Sequence, residues 1–193
     1  MRDFKAPRVT SVASEQRGST MIEVLVSILI MTFGVLGLAG LQAKAQKSEM
    51  ESYQRQQALI LLEDAANRMA ANKNETNTLA ATYVTSTPLG TGNTAACPVS
   101  SSSTRQEIDS CEWSTTLQGS SEKKGTSNLG AMINARGCVT EIIPNTEYRI
   151  DVVWQGLNPT VAPSSSCGQN AYDSEDTRRV VSSTVRFAFL AAP

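Results

Sequence analysis

Residues 18–41 read GSTMIEVLVSILIMTFGVLGLAGL, and residues 42–71 continue as QAKAQKSEMESYQRQQALILLEDAANRMAA. From Val24 to Leu41 there is no charge. Eighteen helical residues rise about 27 Å, close to the roughly 30 Å hydrocarbon thickness of a bilayer. The segment 42–71 has neither Pro nor Gly and is rich in strong helix formers. Within it Leu59, Leu62, Ala66 and Met69 recur at i, i+3, i+7 and i+10, an apolar stripe suited to docking. The pattern predicts one helix from about residue 20 to 71, membrane-embedded over 19–41 and amphipathic over 42–71. Such a length is unusual for an ordinary globular domain. Gly34, Gly37 and Gly40 repeat at three-residue spacing inside the span; small residues there either permit close helix contact or loosen the helix.

Upstream, Arg2, Lys5, Arg8 and Arg17 face only Asp3 and Glu15, so residues 1–17 carry 4 − 2 = +2. A positive flank ahead of the span predicts a cytoplasmic N-terminus and an exported remainder. A secretory signal is the competing reading, but its apolar region is usually only about 7–15 residues and ends at an A-x-A-like site. Here the run is longer and leads directly into helix-compatible sequence, although Leu41–Ala45 (LQAKA) does resemble a weak site of that kind. Glu23 stands at the threshold of the span. A carboxylate at the centre of a bilayer helix costs about 2.5–3.5 kcal/mol on insertion scales, and less near the interface. It either sits among headgroups or has a dedicated partner.

The 193 residues suit one domain plus an anchor. A net charge of −1 leaves no basic footprint for nucleic acid. With no histidine, a Ser-His-Asp triad, a Cys-His pair and histidine-ligated metals are excluded. No nucleophile motif points to an enzyme, and no cofactor or small-molecule substrate is expected. Asp173, Glu175 and Asp176 could offer oxygen ligands to calcium, but their spacing is not that of an EF-hand, so they read as solvated loop charge and no metal site is expected. Cys97, Cys111, Cys138 and Cys167 contain no C-x-x-C pair and lie beyond the span, which favours disulfides in an oxidising compartment. Three connectivities are open.

Residues 72–105 are rich in Thr, Ser, Asn, Ala and Gly, with serines at 100–103, and read as irregular surface chain; Asn74-Glu75-Thr76 is a glycosylation sequon too short to be diagnostic. In 106–119, Ile108, Cys111 and Thr115 fit a helix face, whereas Trp113, Thr115 and Leu117 fit a strand; a short helix is favoured. Val139–Ile143, bounded by Gly137 and Pro144, reads as a short strand. Tyr148, Ile150, Val152 and Trp154 alternate with Arg149 and Asp151. Val181, Ser183, Val185, Phe187 and Phe189 alternate with Ser182, Thr184 and Arg186. Period-two alternation predicts half-buried antiparallel strands, separated by a polar loop over 155–179. The fold expected is α+β: the long N-terminal helix packed on a small antiparallel sheet, with an irregular connection over 72–136 and the sheet and its loop over 137–190.

Two sets of residues carry a resemblance. Arg17-Gly18-Ser19-Thr20-Met21-Ile22-Glu23 resembles the prepilin signal of type IV pilins and type II secretion pseudopilins: a basic leader ending in Gly, a cut, and Glu as the fifth mature residue. Ala135–Val139 (ARGCV), Tyr148–Leu157 (YRIDVVWQGL), Cys167-Gly168 and Arg178–Val181 (RRVV) resemble PilV-type minor pilins, also called type IV pilus modification proteins. The resemblance spans most of the chain and is weakest over 72–105. It implies that Gly18 precedes the bond cut by a prepilin peptidase, that Ser19 becomes the N-methylated terminus, and that Glu23 pairs with a neighbouring subunit's freed amine during assembly. Most members begin the mature chain with Phe or another apolar residue, and Ser19 departs from that. It further implies a low-abundance subunit that primes pilus assembly, joins other minor and major pilins, and passes from the inner membrane to an extracellular pilus, affecting adhesion or motility. A minor pseudopilin of type II secretion is the close variant; a membrane-anchored exported enzyme or binding module is the alternative of another kind. The disulfides expected are Cys97–Cys111 and Cys138–Cys167, the second agreeing with the family's C-V and C-G landmarks.

Overall fold

The computed structural model describes residues 20–73, 78–93, 97, 102–120, 123–125, 127–128 and 132–188, without the side chains of Thr78, Leu79, Lys123 and Ser127. In chain order the elements are α1 (Met21–Ala71), α2 (Thr78–Ala81), β1 (Leu89–Gly90), α3 (Arg105–Leu117), β2 (Lys123–Lys124), β3 (Ser127–Asn128), β4 (Ile133–Ile143), β5 (Glu147–Gln155), a 3₁₀ turn at Glu175–Thr177 and β6 (Arg178–Arg186). The chain divides into two compact units, Met1–Ala45 and Gln46–Pro193.

In the second unit an antiparallel sheet has the order β1-β4-β5-β6, and β2 and β3 form a separate small hairpin. β4 turns into β5 through Asn145, whose φ of 54° suits the tolerance of Asn for the left-handed region. The architecture is α+β, as expected. The docking stripe of α1, however, is rotated from the expected one. Ala58, Leu61, Leu62, Ala65 and Met69 are buried, whereas Leu59 is 47% exposed and Ala66 only half-buried. Ala58 and Ala65 take the inner face with Leu61, Leu62 and Met69, in one i, i+3, i+4, i+7, i+11 phase that leaves Leu59 and Ile60 outside. Against them pack Tyr148, Ile150, Val152 and Trp154 of β5, Ala135 and Val139 of β4, and Val181 of β6. Burying each of these large side chains contributes about 1.5–3 kcal/mol.

The segment expected to be irregular over 72–136 holds α2, β1, α3, both hairpin strands and the start of β4. α3 begins on a capping box: Thr104 accepts from the Glu107 amide at 3.3 Å, and Glu107 accepts from the Thr104 amide at 2.8 Å. Its inner face carries Asp109, Trp113, Ser114 and Leu117. Trp113 donates Nε1–H to the Leu61 carbonyl at 2.9 Å, joining α3 to α1. Gly137, expected to bound a strand, lies in mid-β4. A Cβ there would stand 2.8 Å from Trp113 Cζ2 and 2.9 Å from Leu117 Cδ1, so the glycine is where the indole lies on the sheet. β4 accordingly starts at Ile133, with an irregularity at Asn134, where φ is 53°.

The second sheet face also departs from expectation. Asp151 and Val153, on the side opposite Ile150 and Val152, are as buried as the core residues. The polar loop between β5 and β6 covers them.

Candidate functional site

Two regions bear on function, one in each unit. In the first, α1 presents an uninterrupted apolar surface: Leu25, Ile28, Leu29, Phe33, Leu36 and Leu41 are all exposed. This stretch is long and apolar enough to cross a membrane, with a mean hydropathy of 2.5 over its best window and none of that window buried in the chain. Its hydroxyls are satisfied within the helix. Ser27 Oγ donates to the Glu23 carbonyl at 2.7 Å and Thr32 Oγ1 to that of Leu29 at 2.7 Å, which is how polar side chains are accommodated in hydrocarbon. Gly34, Gly37 and Gly40 meet nothing within 4 Å, so any close approach they allow is to another molecule. Glu23 sits in the first turn of α1, where a carboxylate complements the positive end of the helix dipole by about 0.3–1 kcal/mol. The amides of Glu23 and Val24 donate to the Thr20 carbonyl at 3.0 and 3.2 Å and so start the helix. Gly18 and Ser19 lie outside the described residues, as does Asn74. Leu41–Ala45 lies in the interior of α1.

In the second unit, disulfides join Cys97 to Cys111 and Cys138 to Cys167, the pairs named above, with Cα–Cα distances of 5.2 and 5.9 Å. The second attaches the β5–β6 loop to β4. The same loop is gathered by Arg178, which is only 2% exposed. Its Nη1 donates to the carbonyls of Ser165 at 2.7 Å and Cys167 at 3.1 Å, its Nη2 to that of Pro163 at 3.2 Å, and its Nε to Glu175 Oε2 at 2.7 Å. Asp151, beneath the loop, accepts from Ser182 Oγ, from Ser165 Oγ at 2.9 Å and from Arg149 Nε at 3.2 Å, which satisfies a carboxylate that would otherwise be costly to bury. Sequence reading singled out Asp151 only as a polar alternate and Arg178 only as part of a landmark. Neither position carries a local signal of burial, because what buries them is distant in sequence.

A second buried carboxylate, Asp109 of α3, takes Tyr83 Oη–H at 2.5 Å, Arg105 Nη2 at 2.9 Å and Arg68 Nη1 at 3.4 Å. Burial first, and then the Asp109 hydrogen bond, raises the Tyr83 hydroxyl pKa above its ordinary value. Burial opposes the charge on Arg68, but its bonds to Glu112 and Asp64 outweigh that and hold its pKa above the usual guanidinium value.

Within the acidic stretch 173–176 the Glu175 carboxylate is committed to the loop itself, while Asp176 Oδ1 is buried without a hydrogen-bond partner among the described residues. Glu175 Oε1 accepts from the Asn170 amide at 2.7 Å and Oε2 from Arg178, and these bonds hold its pKa below the usual carboxylate value. Among the described residues no group of three or more Cys, Asp or Glu could hold a metal ion. Compared with family models, with curated proteins and with solved structures, the chain matches none of them.

Proposed function

We propose that this protein is a minor type IV pilin-like subunit, made as a prepilin and held in the inner membrane by the first half of α1. In this reading a prepilin peptidase cuts after Gly18 and N-methylates Ser19. The N-terminus begins cytoplasmic, the remainder is exported, and the subunit then joins other minor and major pilins in a pilus or its priming complex. The observation that carries it is the junction at Glu23: one carboxylate in the first turn of a 51-residue helix, followed by an uncharged exposed span and then by a stripe docked on a sheet. For an ordinary anchor the carboxylate at that point contributes only the modest helix-dipole stabilisation of about 0.3–1 kcal/mol. An assembling helix makes further use of it, because a carboxylate entering an apolar bundle requires a cation, and cutting the chain after Gly18 creates an amine four residues away. The reading assigns no enzymatic step and no cofactor.

The test is N-terminal sequencing of the mature protein from membranes. The expected first residue is Ser19. A terminus near Ala45 would show an ordinary secretory signal and overturn the proposal.

A further inference from the structure

Where the covering loop meets the β1 side of the sheet, an open cleft of about 690 Å³ lies within the range typical of small-molecule sites. Arg136 supplies its charge. Ala135 and Gly137 point into the core, so alternation along β4 sends Arg136 to the loop-covered face. There Nε donates to the Thr91 carbonyl at 2.8 Å and Nη1 to the Ala171 carbonyl at 3.4 Å, while the guanidinium lies 5.5 Å from the centroid of the Tyr172 ring. Tyr172 is itself fixed, donating Oη–H to the Asn134 carbonyl at 2.9 Å. Three elements therefore aim one half-buried guanidinium.

A guanidinium carries five N–H donors, and two are taken by these carbonyls. Among the described residues Arg136 has no carboxylate partner, and none of the side chains lining the cleft is acidic. The nearby Glu175 is already bonded to Asn170 and Arg178. The rest of the lining is small or uncharged: Thr87, Ser166 and Gln169 offer hydroxyl and amide groups, and Gly92 and Gly168 adopt φ of 85° and 62°. Among the described residues no large apolar side chain lines it. With Nε committed to Thr91, three N–H donors on Nη1 and Nη2 remain, and that end of the guanidinium suits a carboxylate. Neutral hydrogen-bonding walls suit hydroxyl groups around that carboxylate.

From this geometry we infer that the Arg136 cleft is a binding site for a small polyhydroxylated carboxylate, the chemistry of a uronic acid. The carboxylate seats on Arg136, and the ring hydroxyls bond to the side chains of the two flanking loops. This does not depend on the chain being a filament subunit.

The test is calorimetric titration of the full chain in detergent with D-glucuronate, beside D-glucose, acetate and inorganic phosphate. Glucuronate binds, and each of the other three binds at least about tenfold more weakly: glucose lacks the charge-assisted bond to Arg136, and acetate and phosphate lack the ring hydroxyls that bond to the loops. Gln169 is exposed, so Gln169→Glu places a carboxylate in the cleft without disturbing the core; it lowers glucuronate affinity about tenfold or more, as does Arg136→Gln. If Arg136→Gln does not fold, Gln169→Glu decides alone. Glucose binding as tightly as glucuronate would remove the role of Arg136. Acetate or phosphate binding as tightly would reduce the cleft to a bare anion site. Either result overturns the inference, as do unchanged affinity in Gln169→Glu and no heat with glucuronate up to about 10 mM.

Discussion

Gly137→Ala isolates the packing of α3 on the sheet. Gly137 has no positive φ, so alanine meets no backbone strain there. The cost arises from its Cβ, which would press on the six-membered ring of Trp113, with Cζ2 at 2.8 Å, and on Leu117 Cδ1 at 2.9 Å. Trp113 cannot easily withdraw, being buried and held through Nε1 to Leu61. Overpacking of this kind costs about 1–3 kcal/mol, and the lower chain entropy of alanine in the unfolded state returns about 0.4–1 kcal/mol. The expected net destabilisation is about 1–2 kcal/mol, a fall in melting temperature of about 2–4 °C per kcal/mol. The decisive comparison is the same change made together with Trp113→Phe, which deletes the colliding ring atoms. In that background Gly137→Ala becomes far less costly or mildly stabilising, a coupling of about 1–2 kcal/mol. Only the lesser contact with Leu117 remains. Urea unfolding of the full chain in detergent, followed by circular dichroism, measures all four corners of the cycle. An equal cost in both backgrounds would refute the account of Gly137 as the seat of the indole.

Replacing Cys138 and Cys167 together by Ser opens a loop of sequence separation 29 and lowers unfolding stability by about 3–4 kcal/mol; the Cys97–Cys111 pair, at separation 14, contributes about 3 kcal/mol. Non-reducing peptide mapping that linked Cys97 to Cys167 would contradict both assignments. The pKa of Glu175 is lower folded than unfolded, so its contribution is present above the ordinary carboxylate pKa and is lost as pH falls through the depressed value. Glu175→Gln should therefore flatten the acid limb of stability against pH, and an unchanged limb would show that the Asn170 and Arg178 bonds do not favour the charged form. Burial pushes Tyr148 and Tyr172 up to about 12, so stability present below pH 10 declines as these phenols are forced to ionise between about pH 10 and 12; absorbance at 295 nm follows it, and full ionisation by pH 10 would contradict their burial. On the proposed pilin-like function, Glu23→Ala stays in the inner membrane, because removing a charge lowers transfer cost, yet enters filaments or priming complexes less; incorporation equal to wild type would rule out pairing with a free amine.

Local periodicity made much of the scaffold legible. The uncharged run from Val24 to Leu41, the alternation of Tyr148, Ile150, Val152 and Trp154, and the helix-compatible spacing of Ile108 and Cys111 each correspond to an observed element. The misreadings share one cause. Hydrophobicity alone favours Leu59 over Ala58, yet the helical phase shared by Leu61, Leu62, Ala65 and Met69 puts Ala58 inside and Leu59 outside. Gly137 reads as punctuation unless the indole above it is known. Asp151 is a polar alternate in a strand and Arg178 falls in the expected polar loop over 155–179, and only the folded loop, brought back by Cys167, makes them interior. The Arg136 cleft was illegible for the same reason: its walls come from residues 87–93, from β4 and from residues 166–171, which no sequence window joins.

The gathering of the Pro163, Ser165 and Cys167 carbonyls onto Arg178 bears on how this chain meets proteases. A protease needs an extended, released stretch of backbone, and a polar loop holding Pro159, Pro163 and serines would ordinarily supply one. Here release means breaking three bonds to one buried cation at once, and that cation belongs to the first residue of β6. Nicking within residues 163–167 therefore waits on an opening that frays the sheet edge, whereas Val161, which is 90% exposed, lies outside that protection. A guanidinium is indifferent to reductant. Reduction of Cys138–Cys167 alone should thus leave the 163–167 stretch resistant to cleavage until the sheet itself opens.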